Sequence, residues 1–309
     1  MTGIRLDHII TYTSAEGIDS YLKEYAALGF VPAKETVRHD PGLRNGFVFI
    51  GPEYVEFCWV EDETLFEEAS AQQRLLCATP RPFGLGMVAW DVGAVHDDWT
   101  ARGYELPEVS SSAPRDAPAD SPPVWSFQMI PEELLLGAWC FVLTYHRRSK
   151  DKATEITIGP NTIYAISGLT FVAPEPEVRA TSWRDLLAPE EAVKPLSHGY
   201  CVQIGAHRAA WMKADHFTAT YGLDWVPFPQ PVGEVAMLHM LASDLSAAKT
   251  TLEQSGRQTS TVIVGVEEAL LVAPDPRDGL VFTVQQQPVE EWLQERKAKT
   301  GETLEVVQG

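Results

Sequence analysis

Glu56 lies in the middle of the run YVEFCWV, where Val55, Phe57 and Trp59 share one face and Tyr54, Glu56 and Cys58 share the other. A carboxylate at the centre of a short apolar strand is costly to bury unless it is paired, bound to a metal or open to a polar cavity. His8, in LDHIITYT, occupies a second strand of the same kind, and alternation places Ile4, Leu6, His8, Ile10 and Tyr12 on one face. Such groups can hold a divalent metal with positions left open for a chelating substrate, or they can move a proton. The turn RHDPGLRNG adds His39 as an acid/base or a polar anchor, unless it is simply a solvated bend set by Pro41-Gly42. Trp125, Phe127, Trp139 and Tyr145 fall in later strands, where they form either an apolar pocket wall or ordinary core.

The elements around these residues repeat. Leu6 to Thr13 reads as a strand, Ser14 as the cap of a helix carrying Ile18, Tyr21, Leu22, Tyr25 and Leu28, and Gly29 as its stop. A strand over Phe30 to Val37, the polar turn, and the pair FVFI and YVEFCWVE joined at Gly51-Pro52 complete a βαβββ unit. The plan returns from Phe83, from Ile166 and from Val235, at a spacing of roughly 70–80 residues. A unit this small cannot cover its own sheet, so units should pair. The expected fold is therefore α+β, with tandem βαβββ modules paired into two half-open barrels. The first domain is expected at 1–148 (modules 6–62 and 83–148). A second, degenerate one is expected at 156–288 (modules 163–215 and 235–287), with a C-terminal helix and tail at 289–309. The charged stretch His146 to Glu155 divides them, and the loop Pro107 to Pro123, rich in Pro, Ser, Ala and Asp, is either structureless or an active-site flap.

The 309 residues carry 24 Lys+Arg against 43 Asp+Glu, a net charge of −19, with 45% hydrophobic residues. That charge opposes nucleic acid and anionic membranes, whose binding relies on clustered cations. No apolar run reaches the ~20 residues of a spanning helix. The opening MTGIRLDHII has no secretory pattern, and the four cysteines are scattered without a CxxC, so reduced thiols and a cytoplasmic location are expected. GLGMVA (Gly84 to Ala89) satisfies GxGxxA in form only, since it runs into a strand rather than a helix, and no nucleotide cofactor is expected.

The run L-D-H-I, the helix ending in G-F, R-H-D-P-G-x-x-N and Y-V-E-F together resemble the glyoxalase-like domains of the vicinal oxygen chelate superfamily, most closely over Leu6 to Glu61. The resemblance implies paired modules around a divalent metal (Fe, Mn, Zn or Ni), with the strand-one His and strand-four Glu as ligands. These are His8 and Glu56 here. Module two offers Gly84 or Leu85 and Val142 at the matching places, so a third ligand must come from His39, from His146, or, if modules one and four pair, from His239. His239 is taken to complete the set. Arg44 stands where the family's turn has a second His beside Asn45; this departure points to an anionic substrate gripped by the guanidinium.

The expected function is a lyase, isomerase or ring-cleaving dioxygenase acting on a small oxygenated molecule. Glu56 and His39 would be catalytic, Arg44, Asn45, Trp125 and Tyr145 would bind substrate, and a homodimer is left open. The competing class is a metal-free protein that sequesters a drug-like ligand between aromatic walls, which the missing ligands of module two favour.

Overall fold

A computed structural model describes residues 3–39, 41–112, 121–135, 139–146, 154–224 and 235–308. Residues 113–120 of the proposed flap and most of the proposed divider (147–153) lie outside the described residues. The first module is β1 (Arg5–Tyr12), α1 (Ile18–Ala27), β2 (Val31–Pro32), β3 (Val37–His39), β4 (Leu43–Ile50) and β5 (Glu53–Val60). Two short helices, α2 (Glu63–Phe66) and α3 (Ala71–Leu76), lead to the second: β6 (Arg81–Val88), α4 (Val92–Ala101), β7 (Ser110–Ser112), β8 (Trp125–Ile130) and β9 (Trp139–Tyr145). After β10 (Thr154–Ile158), the third has β11 (Ile163–Val172), α5 (Pro176–Leu187), β12 (Lys194–Leu196), β13 (Gly199–Ile204) and β14 (His207–Met212). Then α6 (Ala214–Tyr221) precedes the fourth, with β15 (Val235–Ala242), α7 (Leu245–Gln254), β16 (Thr259–Val264), β17 (Glu267–Val272) and β18 (Phe282–Gln286). The chain ends in α8 (Val289–Thr300) and β19 (Leu304–Gln308), which pairs in parallel with β10.

Module one pairs with two and module three with four. The first sheet runs β2-β4-β5-β1-β6-β9-β8-β7 with β3 also on β4, and the second runs β12-β13-β14-β11-β15-β18-β17-β16. Both are open, as paired half-barrels require. Modules meet where β1 runs antiparallel to β6 and β11 antiparallel to β15. Pairing of modules one and four, the premise for His239 joining His8, does not occur.

Three local expectations change. The strand expected over Phe30 to Val37 breaks into β2 and β3, because between Pro32, opposite Val48, and Val37, opposite Asn45, the chain has two residues more than β4 can pair. Helix α1 starts after Gly17 with no side-chain cap, so Ser14 does not cap it. In β1 the single face of Ile4, Leu6, His8, Ile10 and Tyr12 is split by a register shift between Leu6 and His8. Ile4 and Leu6 join Ile9 in the core under the helices, whereas His8 and Ile10 line a cavity on the other side of the sheet.

One hydrophobic core runs through both sheets and the helices on them, from Ile18, Tyr21 and Trp99 to Trp183, Trp211 and Leu252. Polar ties cross it. Trp99 Nε1 donates to the Leu186 carbonyl at 3.0 Å, and the hydroxyls of Tyr21 and Tyr25 on α1 donate to Asp278 Oδ2 at 2.5 and 2.6 Å. Deeper still, Glu53 at the start of β5 is closed in by His207 Nε2 (3.1 Å) and Arg296 Nη1 (2.7 Å). Helix α8 is thereby tied to both sheets.

Candidate functional site

The concave side of the first sheet holds a cavity of about 460 Å³. His8 and Glu56 meet at its polar end because β1 and β5 run parallel with His8 opposite Tyr54 and Ile10 opposite Glu56. His8 Nε2 lies 3.5 Å from Glu56 Oε2. The Glu56 side chain is 12% exposed against 3% for His8, so the carboxylate is the more accessible member of the pair.

Each group is held from behind. His8 Nδ1 lies 3.0 Å from Asp7 Oδ2, and Tyr145 donates to the same oxygen at 2.8 Å. Because a carboxylate accepts, Nδ1 carries a proton and Nε2 is left to face Glu56. Tyr54 extends the chain, its hydroxyl 3.1 Å from that of Tyr145 and its ring stacked on His8 at 4.6 Å. Burial, and then the charge of Asp7, push Tyr54 well above the usual phenol range, so it stays neutral. Asn45 Nδ2 donates to Glu56 Oε1 in a short hydrogen bond, and its Oδ1 is buried with no hydrogen-bond partner.

The opposite wall is aromatic, with Trp125, Phe127, Trp139 and Phe141 on β8 and β9 and Phe83 on β6. Phe141 lies 5.6 Å from the His8 ring and 5.5 Å from Trp139, and Trp125 lies 5.0 Å from Phe127. Cys58 and Cys77 also face the cavity; burial pushes Cys58 well up, and Cys77 to about 12, which keeps both as thiols rather than nucleophiles.

Of the residues expected from the sequence, His8, His39, Asn45, Glu56, Trp125 and Tyr145 line this cavity. His39 is exposed on β3, at the rim. Arg44 does not reach it. Alternation along β4 turns Asn45 inward and Arg44 outward, where it binds Glu61 at 3.1 Å, Asp19 at 3.2 Å and Thr36 at 2.7 Å, so the expected grip on an anionic substrate is corrected. His239 belongs to the second sheet, between Thr170 and Thr283, and cannot complete a set with His8 and Glu56. His146 is bonded to Ser126 at 2.7 Å. Asp7, an acid beside His8 in the same apolar strand, was a legible signal that went unused, and Tyr54, placed on the Glu56 face, was given no role.

The donor set does not fit a resident divalent metal. Among the described residues no three His, Cys, Asp or Glu side chains converge on one point. The register puts Gly86 opposite His8 and Leu143, rather than Val142, at the place matching Glu56. Neither residue has a donor side chain. The Asn45 group turned toward the pair is its N–H, a donor that cannot ligate.

Gly86 has a different task. A Cβ built on it would lie 2.0 Å from His8 Cε1, so only glycine leaves room for the ring. Gly86→Ala is expected to displace His8 from Glu56 and cost about 1–3 kcal/mol, the range for overpacking a filled interior. Urea denaturation checks this; a stability equal to that of the wild type would show that the ring has space to spare.

The sequence profile of a glyoxalase-like domain family matches residues 6–187. No curated protein matches the sequence. Solved structures with a similar fold include a hypothetical protein from Staphylococcus aureus (11% identity, TM-score 0.56, covering 92% of this chain and 100% of that one). Others are a mutant of 4-hydroxymandelate synthase from Streptomyces coelicolor (13%, 0.54, 93% and 93%) and a catechol 2,3-dioxygenase (11%, 0.52, 92% and 87%). No described helix is long and apolar enough to cross a membrane.

Proposed function

The chain belongs to the glyoxalase-like domain family, and from that premise we propose that it is an enzyme moving a proton on a carbon beside a carbonyl in a flat, oxygenated aromatic molecule. The observation that carries this reading is the Glu56–His8 pair at the polar end of an otherwise aromatic cavity. Glu56 Oε2 takes the substrate proton and shares it with His8 Nε2. Asp7, on the far side of the imidazole, stabilises the positive charge that His8 then carries. Asn45 holds the second carboxylate oxygen. Trp139 and Phe141 take the ring, and the cavity volume of about 460 Å³ suits a molecule of one or two rings. Hydroxymandelate and catechol, in the names of two structural neighbours, are molecules of this kind.

The test uses 4-hydroxyphenylpyruvate as a probe, since its methylene carbon lies between a ring and a carbonyl. Incubated with the protein in D₂O, the probe is expected to lose its methylene proton signal in NMR well ahead of a buffer control. Exchange no faster than the control, across a panel of aryl 2-oxo acids, would remove the reading.

A second reading, sequestration of an aromatic ligand, is favoured by the apolar wall alone. Under it, ligand quenches the tryptophan fluorescence while no proton exchanges.

A further inference from the structure

The second sheet and α8 border a second cavity of about 590 Å³. Its layout mirrors the first. Gly168 on β11 pairs with His239 on β15, as Gly86 on β6 pairs with His8 on β1. Two residues beyond each histidine, Leu241 pairs with Gln285 where Ile10 pairs with Glu56. His239 and Gln285 thus occupy in module four the places of His8 and Glu56 in module one, and both line the second cavity.

The chemistry is different. Both His239 ring nitrogens are engaged, Nε2 with Thr170 Oγ1 and Nδ1 with Thr283 Oγ1, each at 2.7 Å. Burial, helped by the charge of Arg208, pushes its pKa down to about 3, so the ring stays neutral. An amide replaces the acid. The His239–Gln285 pair is not poised to exchange protons, but the cavity keeps hydrogen-bonding dipoles in Ser167, Gln203 and Gln285 and a cation in Arg208. Gln203 spends its N–H on the Gly205 carbonyl and Gln285 spends one on Glu267. Of the other acids lining the cavity, Glu295 lies 3.9 Å from Lys299, and Glu291 is exposed on α8.

Arg208 has no carboxylate partner among the described residues. In this chain of net charge −19, Arg5, Arg38, Arg44, Arg102, Arg257, Arg277 and Arg296 are ion-paired, and Arg74 is held by the Glu67 and Ala69 carbonyls. A guanidinium kept free at the wall of a polar cavity matches a carboxylate bidentately.

We propose that this second cavity is a non-catalytic binding site for a small hydroxylated carboxylate, anchored by Arg208 with its hydroxyls met by the Gln203 and Gln285 amides. The site is independent of proton exchange in the first cavity. Calorimetric titration of the full chain with sodium gluconate is expected to show one saturable site in the millimolar range or tighter, while sorbitol, which lacks the carboxylate, shows none. Arg208→Gln should weaken gluconate about ten- to a hundredfold, the loss expected for one charge-assisted pair, and Arg208→Lys should restore part of it. Arg208 is exposed, so neither change threatens folding. Deuterium exchange on 4-hydroxyphenylpyruvate should be unchanged in Arg208→Gln. Absence of gluconate binding, equal binding of sorbitol, or full affinity in Arg208→Gln would each overturn the proposal.

Discussion

Glu56→Gln is expected to slow deuterium exchange on 4-hydroxyphenylpyruvate by about 10²–10⁴-fold, the usual contribution of a positioned acid/base. The substitution is close to isosteric, and Asn45 can still donate to the retained carbonyl oxygen, so the cavity should keep its shape. Binding and chemistry should therefore separate, with kcat falling and KM nearly constant, because the removed interaction forms only as the proton moves. Saturation kinetics by NMR measures both quantities. A rise in KM with kcat intact would make Glu56 a binding residue and return the protein to the sequestration reading.

The largest effect on stability is expected at Glu53, which is buried beside Arg296 and His207. Burial alone would raise its pKa, but the adjacent Arg296 and His207 outweigh burial and hold it below the usual carboxylate range. Glu53→Ala leaves the Arg296 guanidinium, 2% exposed, with one carboxylate fewer, and should cost about 3–5 kcal/mol in urea denaturation. Glu302, at 3.0 Å, remains as a partner for Arg296 and favours the lower end of that range. Because the folded-state pKa of Glu53 is depressed, its contribution is complete above the ordinary carboxylate pKa of about 4.3 and is lost as pH falls through the lowered value. Acid unfolding of the wild type should accordingly be steeper than that of Glu53→Ala as pH falls below the ordinary carboxylate pKa. If the variant matches the wild type in both urea and acid, the junction with α8 contributes nothing.

What the sequence disclosed tracks how local each feature is. The His8–Glu56 meeting was legible because strand alternation and a carboxylate amid apolar residues are both properties of a few consecutive positions. The same alternation, applied without the shift after Leu6, misplaced Ile4 and Leu6, since a bulge adds one residue without marking it in the pattern. It could have turned Arg44 outward, had the turn been read as the start of β4. Module pairing is a property of sheet edges far apart in the chain. His239 was therefore drawn to the wrong half, and the β10–β19 ribbon, joining residues 154–158 to 304–308, went unforeseen. The missing ligand was sought at Gly84 or Leu85, and Gly86, the residue that faces His8, was passed over. Its meaning emerges only with the His8 ring 2.0 Å from where a methyl group would sit.

In the proposed chemistry Glu56 and His8 suffice for proton transfer. Protein stripped with a strong chelator, with residual Fe, Mn, Zn and Ni assayed in the same sample, should exchange the methylene protons of 4-hydroxyphenylpyruvate at the untreated rate. Exchange that vanishes on stripping and returns in proportion to one added metal would contradict it.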